Sequence, residues 1–356
     1  MIFIQNLNTD FPLNAFNDNI IEVEEPSAAT LQIWVSGAGN FYVTGINGYF
    51  YFNFKEVFKV LVNENLFADD FDYTQIIRDS NLSHALQVNY STINSEGIEV
   101  DGQEYNYRLL KSVHQIEEVA SENLYLHHEH NDEITLDVFK GYPFDFTFYN
   151  KETSDNNLQI LPSVSVGMSS SFPLETIGVY RIPLIDKDGS TLHQYSVSNH
   201  LSLIEGVQNT IKVQTNYGQF FAKLNTHERC KGIYIKWLNT YGGWDYWLFS
   251  DKAKVSHKDK ITGKVYTGFD NIQNLNSIES SLGKVLRKSY SLSASFLNES
   301  QFAKIIRLEY SPKVYLWTGY KFIEVFITNK TKYTANEPQG EANFTIEIPK
   351  RITQTA

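Results

Sequence analysis

Cysteine is nearly absent: Cys230 stands alone in a chain of 356 residues, which excludes an intrachain disulfide framework. A single thiol reads most simply as a small buried hydrophobe. No apolar run approaches the ~18 residues that mark a membrane-spanning helix. Residues Met1 to Leu7 carry neither the basic start nor the apolar stretch of a secretory signal. These absences predict a chain that folds in the cytosol that makes it, with no membrane insertion. Alanine-rich helical segments are missing, and so are the G-x-S-x-G elbow, the phosphate-binding G-x-x-x-x-G-K-[ST] loop, the dinucleotide G-x-G-x-x-G, the HExxH helix and the CxxC pair. The reading is therefore of a non-enzyme without a cofactor. One alternative stays open, a glycoside hydrolase, because that chemistry needs only two carboxylates at a set separation and the chain holds 41 acidic residues.

What is abundant is aromatic surface: 24 Phe, 22 Tyr and 5 Trp, a composition that favours strands over helices. Single cores stop growing beyond about 250–300 residues, so a chain of this length predicts two or three domains. Short apolar runs recur about every ten residues between turn signals, the spacing of sandwiches and barrels. The expected class is mainly β, a multi-domain β-sandwich or barrel protein with one or two short helices. We place an N-terminal β-domain at 1–120, a middle β-unit at 121–205 and a C-terminal β-domain at 206–356.

Local signals fill in this outline. Asn47-Gly48 and Asp101-Gly102 predict tight hairpins, as does Asp188-Gly189. Phe54, Val57, Phe58, Leu61 and Val62 recur at helical spacing behind Asn53, a suitable N-cap. Phe144, Phe146 and Phe148 alternate as in a half-buried strand. Lysines crowd 252–264, which reads as an exposed loop ending at Thr262-Gly263. Asn298, Glu299, Phe302, Ile305 and Ile306 predict a capped amphipathic helix stopped by Ser311-Pro312, followed by a hairpin over 313–328 and a strand at 344–348.

The densest stretch is CKGIYIKWLNTYGGWDYWLF, from Cys230 to Phe249. It predicts a β-hairpin with Gly242 and Gly243 at positive φ, carrying Trp237, Trp244 and Trp247. These three and Tyr246 are either buried in a core or interface, or exposed to stack on sugar rings. His127, His128 and His130 form a metal-like cluster, but neighbours on an extended strand point to opposite faces and converge poorly on one ion. No metal is expected there, nor at Asp69, Asp70 and Asp72, which lack the glycine and terminal carboxylate of a calcium loop.

Charge is unevenly placed. Residues 1–200 hold 9 Lys and Arg against 28 Asp and Glu, a balance of −19, whereas 201–356 hold 21 against 13, a balance of +8. Opposite charge on two parts of one chain suits head-to-tail contact between copies, because complementary potentials steer association. Lys252, Lys254, Lys258 and Lys260 are candidates for a basic contact surface toward an acidic neighbour. Scattered lysines and the acidic half argue against nucleic acid.

Two stretches, KGIYIKWLNTYGGWDYWLF and SPKVYLWTGYKFIEVFITN, resemble structural proteins of tailed bacteriophages and prophages, with tail-tip and baseplate components, including distal tail proteins, the nearest analogy. The resemblance covers about the last 150 residues. It implies a non-catalytic virion protein assembled in the bacterial cytoplasm, with β-sandwich domains, a ring of its own copies and other tail or baseplate proteins as partners. No functional residue carries over. A glycan- or receptor-binding module on a virion or cell surface is the alternative.

Overall fold

The computed structural model describes residues 1–64, 69–113, 133–151, 157–162, 170–174, 176–188, 194–196, 199–200, 209–215, 218–227, 231–250, 255–266, 279–329 and 340–349. It is mostly strand, and it divides into two compact units: Met1–Glu228 with Asn239–Asp245, and Arg229–Leu238 with Tyr246–Ala356. The expected boundary at 205 does not coincide with this division, because strands after it pair with strands before it.

In the first unit the chain opens with β1 (Ile2–Gln5), β2 (Leu13–Asn14), β3 (Ile20–Glu24), β4 (Thr30–Val35), β5 (Gly39–Thr44) and β6 (Tyr49–Asn53). Helix α1 (Lys55–Leu61), β7 (Ile77–Arg78), β8 (Ser83–Ile93) and β9 (Glu99–Leu110) follow. A three-stranded sheet runs β1-β3-β6 and a five-stranded sheet runs β2-β9-β8-β4-β5. Alternation builds the core: Leu31, Ile33 and Val35 of β4 are buried while Thr30, Gln32 and Trp34 between them are not. Ile21, Val23 and Phe50 come from the smaller sheet, Val88, Tyr90 and Leu109 from the larger, and Phe54, Phe58 and Leu61 from α1, all in one cluster. This is a β-sandwich with one face of the helix packed into its core, while Val60 on the other face is exposed.

Two turn expectations resolve differently. Asn47 and Gly48 take φ of 56° and 83°, as a tight turn demands, but β5 and β6 then enter different sheets. Asp101 and Gly102 are no turn at all, since β9 runs through them opposite Thr92 and Ser91. The reversal occurs instead at Asn94–Ile98, where Asn94 Oδ1 accepts from the Glu96 and Ile98 amides and Gly97 sits at φ 82°. At α1 the N-cap is Phe54, one residue past Asn53, whose Oδ1 nonetheless accepts from the Lys55 amide at 3.0 Å.

The first unit continues with β10 (Glu133–Phe139), β11 (Phe144–Asn150), β12 (Asn157–Pro162), β13 (Ser170–Pro173), β14 (Gly178–Ile185), β15 (Gln194–Ser196), β16 (Asn199–His200), β17 (Asn209–Thr215) and β18 (Gly218–His227). One sheet runs β10-β18-β17-β12-β13, a second β11-β14-β7, and β15 pairs β16. β10 and β18 are parallel, which ties residues after 205 to residue 133 onward. β11 is not half-buried as its alternating phenylalanines suggest: every residue from Phe144 to Asn150 is buried. The intervening Asp145 and Thr147 are polar yet buried, so periodicity alone misassigned a strand covered on both faces.

The second unit contains β19 (Gly232–Leu238), β20 (Trp244–Ser250) from Tyr246 onward, β21 (Val255–Tyr266), β22 (Glu279–Leu297), α2 (Glu299–Ile306), β23 (Val314–Trp317), β24 (Phe322–Asn329) and β25 (Gly340–Glu347). The order is β20-β19-β23-β24-β25-β22-β21. α2 forms as expected: Asn298 accepts from the Gln301 amide at 2.8 Å and the Gln301 side chain accepts from the Asn298 amide at 3.2 Å, a reciprocal cap. The lysine-rich 255–264 is a correction. It belongs to β21, whose register with β22 shifts at Gly263 and is recovered at Lys264.

Candidate functional site

Two kinds of feature compete as the functional centre: buried polar clusters, and surface that the fold leaves uncovered. The most charged buried cluster lies in the first unit around Arg181 of β14, which is 0% exposed. Its Nε donates to Asp145 Oδ2 at 2.9 Å and its Nη2 to Asp145 Oδ1 at 2.8 Å. Nη1 donates to Asp69 Oδ1 and, at 3.5 Å, to Asp79 Oδ2. The guanidinium carbon stands 3.9 Å from the Phe71 ring centroid and 5.5 Å from that of Trp244. Burial pushes Asp79 above the ordinary carboxylate range, and Arg181 partly offsets that push. Three carboxylates converge on one cation that is held between aromatic faces. That arrangement fixes residues 69–79, which include β7, against β11 and β14. It also accounts for Asp69, which holds Arg181 instead of a metal; among the described residues no group of three or more acidic, His or Cys side chains is arranged for an ion.

A second polar cluster joins β10 and β18. Asp137, 3% exposed, accepts from Asn225 Nδ2 at 2.9 Å and lies 2.9 Å from His227 Nε2. Phe139 stacks on the His227 ring at 4.7 Å. Parallel register places Asp137 opposite Asn225 and Phe139 opposite His227, so the cluster is a product of strand pairing.

The aromatic hairpin is core. Trp237 and Trp244 are 0% exposed, Tyr246 2% and Trp247 7%, so none offers a ring face to a sugar. In the first unit, Asn239 Oδ1 accepts from the amides of Tyr241 and Gly243 and organises the loop, Gly242 takes φ 87°, and the Val113 amide donates to Thr240 O. Gly243 has no positive φ, contrary to expectation. In the second unit Lys236 is fully buried, with Nζ 4.3 Å from the Phe322 ring centroid and 5.3 Å from that of Tyr315.

His127, His128, His130, Lys252 and Lys254 lie outside the described residues. Lys258 and Lys260 fall in β21, opposite Arg287 and Val285.

The uncovered surface is more telling. β22 pairs β25 over Ser289–Leu297, the Lys288 carbonyl accepts from the Ile348 amide, and Glu279–Arg287 has β21 as its one strand partner among the described residues. At about 3.3 Å per residue this leaves a two-stranded ribbon roughly 30 Å long. Lys264, Val265 and Tyr266 are consecutive and all exposed, so water reaches both faces; Ile261 and Leu282 are exposed as well. In the first unit, the outward face of β1-β3-β6 carries Ile2, Ile4 and Tyr51, each more than half exposed, and Ile20 at 38%. Glu22 and Glu24 share that face, accepting from the hydroxyls of Tyr51 and Tyr49. Sequence reading missed these residues. The signal available was the apolar spacing of β1 and β3 on both parities, which a strand with one solvated face does not need.

No family model matches the chain, and no curated protein does. Among solved structures, a chimeric titin Z1Z2-Z1Z2 tandem functionalised with a fibronectin GRGDS peptide aligns at 11% identity, covering 64% of this chain and 98% of that one at a TM-score of 0.17. A titin A168–169 structure aligns at 10% identity, 62% and 94% coverage and a TM-score of 0.21. Likeness at this level carries no argument about function. The fold stands on the strands described above: a mainly β protein of more than one unit, with β-sandwich character.

Proposed function

We propose that this chain is a non-enzymatic structural component of a tailed-phage virion, a tail-tip or baseplate protein that self-associates, joins tail tube to tip or fibre proteins, and assembles in the bacterial cytoplasm. The observation that carries the self-association is the β21–β22 ribbon. A two-stranded hairpin is marginal in water by itself, and this one exposes Ile261, Val265, Tyr266 and Leu282. Such surface gains stability only against a partner. The resemblance of the Trp hairpin and the 311–329 stretch supports the virion context. Burial of Trp237, Trp244, Tyr246 and Trp247 removes the aromatic groove that a glycan-binding module would build from them. The test is negative-stain imaging of the purified chain, alone and with isolated tails. Annular particles, or added density at one tail end, support the reading; a chain that forms neither contradicts it.

A further inference from the structure

We infer that the β21–β22 ribbon of one copy docks on the outward face of the β1-β3-β6 sheet of a second copy, a heterologous contact repeated around the assembly. The inference rests on the self-association in the proposed function and names the two surfaces that make it.

Charge selects the occupant. Of the five carboxylates in residues 1–54, Lys55 holds Asp18 at 3.2 Å and the Met1 ammonium holds Glu25 at 2.7 Å, which leaves Glu22 and Glu24 as the acidic groups of the outward sheet face. β21 and β22 contain Lys258, Lys260, Lys264, Lys284, Arg287 and Lys288 against Asp259 and Glu279, and with Arg287 paired to Glu347 at 3.0 Å the excess is still five cations to two anions. Apolar character matches as well. Ile2, Ile4, Ile20 and Tyr51 share the sheet face with Glu22 and Glu24, and exposed Ile261, Val265, Tyr266 and Leu282 share the ribbon with exposed Lys264. Charged groups around apolar contacts set orientation and speed of encounter, while the apolar contacts hold the complex. The surfaces are different patches of one molecule, so the contact is not self-complementary. Heterologous contacts of this kind propagate, and close into a ring when the rotation permits.

The experiment uses two charge-reversed full-length chains, Glu22→Lys/Glu24→Lys and Lys264→Glu/Lys288→Glu, with light scattering at low salt. All four positions lie outside the buried core, and thermal unfolding checks that each variant folds. Each variant alone is expected to lose association by tenfold or more. Mixed at equal amounts they should regain it: the lysine face of one meets the glutamate ribbon of the other, and the remaining pair of surfaces is native. Wild-type assembly by either variant alone overturns the assignment of surfaces and leaves the self-association standing. A mixture that fails to regain mass also overturns it. A wild-type chain that stays monomeric overturns the contact between copies, and the tail-binding images then decide separately on the virion role. If a charge variant does not fold, Val265→Ser/Tyr266→Ser on the ribbon supplies the same reading, with reduced association expected and unchanged association contradicting the contact.

Discussion

Arg181 and Asp145 meet fork to fork, two hydrogen bonds of 2.9 and 2.8 Å between side chains with no solvent exposure. They lie on adjacent antiparallel strands, where Arg181 faces Thr147 and Asp145 faces Pro183. The pair therefore reaches diagonally, within the range of long side chains. Removing the cation strands Asp69, Asp79 and Asp145 in a buried site. Arg181→Met should cost about 3–5 kcal/mol in urea unfolding. A loss under about 1 kcal/mol, the scale of surface substitutions, would show the cluster to be dispensable.

Asp79 gives a pH signature. Its folded pKa lies above the ordinary value of 3.8 because burial disfavours the anion. The folded state then holds the proton more tightly than the unfolded state, so this residue's contribution is greatest at low pH and falls as pH rises through the folded pKa. Asp79→Asn keeps an oxygen for the Asn81 amide, which Asp79 Oδ1 accepts at 2.9 Å. The variant should gain on the wild type as pH rises from 3.8, measured as the difference in unfolding free energy; parallel curves would contradict this.

Glu25 has the opposite sign. The Met1 ammonium donates to Glu25 Oε2 at 2.7 Å and to Asp101 Oδ2 at 2.8 Å, and the hydrogen bond from the ammonium is the main cause that holds Glu25 down to about 2. Its contribution is present above the ordinary value of 4.5 and is lost as pH falls toward 2. Glu25→Gln should remove that slope and cost under about 1 kcal/mol near neutral pH, since water screens the pair. An unchanged slope between those pH values would contradict it.

Much of the architecture was legible in residue patterns, and the exceptions have physical causes. The Asn298 cap and the Asn47-Gly48 turn were readable because one or two side chains fix the backbone there. Asp101-Gly102 misled because a strand can carry turn residues when a neighbour, here the Met1 ammonium, uses the carboxylate. The lysines of β21 looked like a loop because charge is common in both loops and exposed ribbons. The Arg181 cluster was out of reach: its partners lie 36, 102 and 112 residues away in sequence.

Gly242 supplies a backbone test. At φ 87° an added Cβ would be strained and would sit 3.3 Å from Lys111 O. Gly242→Ala should destabilise by about 1–3 kcal/mol. A neutral result in thermal unfolding would mean that the loop can rearrange.

At the cap of α2, Asn298→Ala removes the acceptor for the Gln301 amide. A loss of about 1 kcal/mol is expected. Asn298→Asp, which keeps the acceptor, should restore most of it; equal loss in both variants would contradict the capping account.

The central claim is self-association through opposite charge and exposed apolar surface. Its most direct test is the mass of the purified wild-type chain by light scattering across a range of ionic strength. The account predicts a closed multiple of the 40.9 kDa chain at low salt that loosens as salt screens the contact. A monomer at every salt concentration would contradict it.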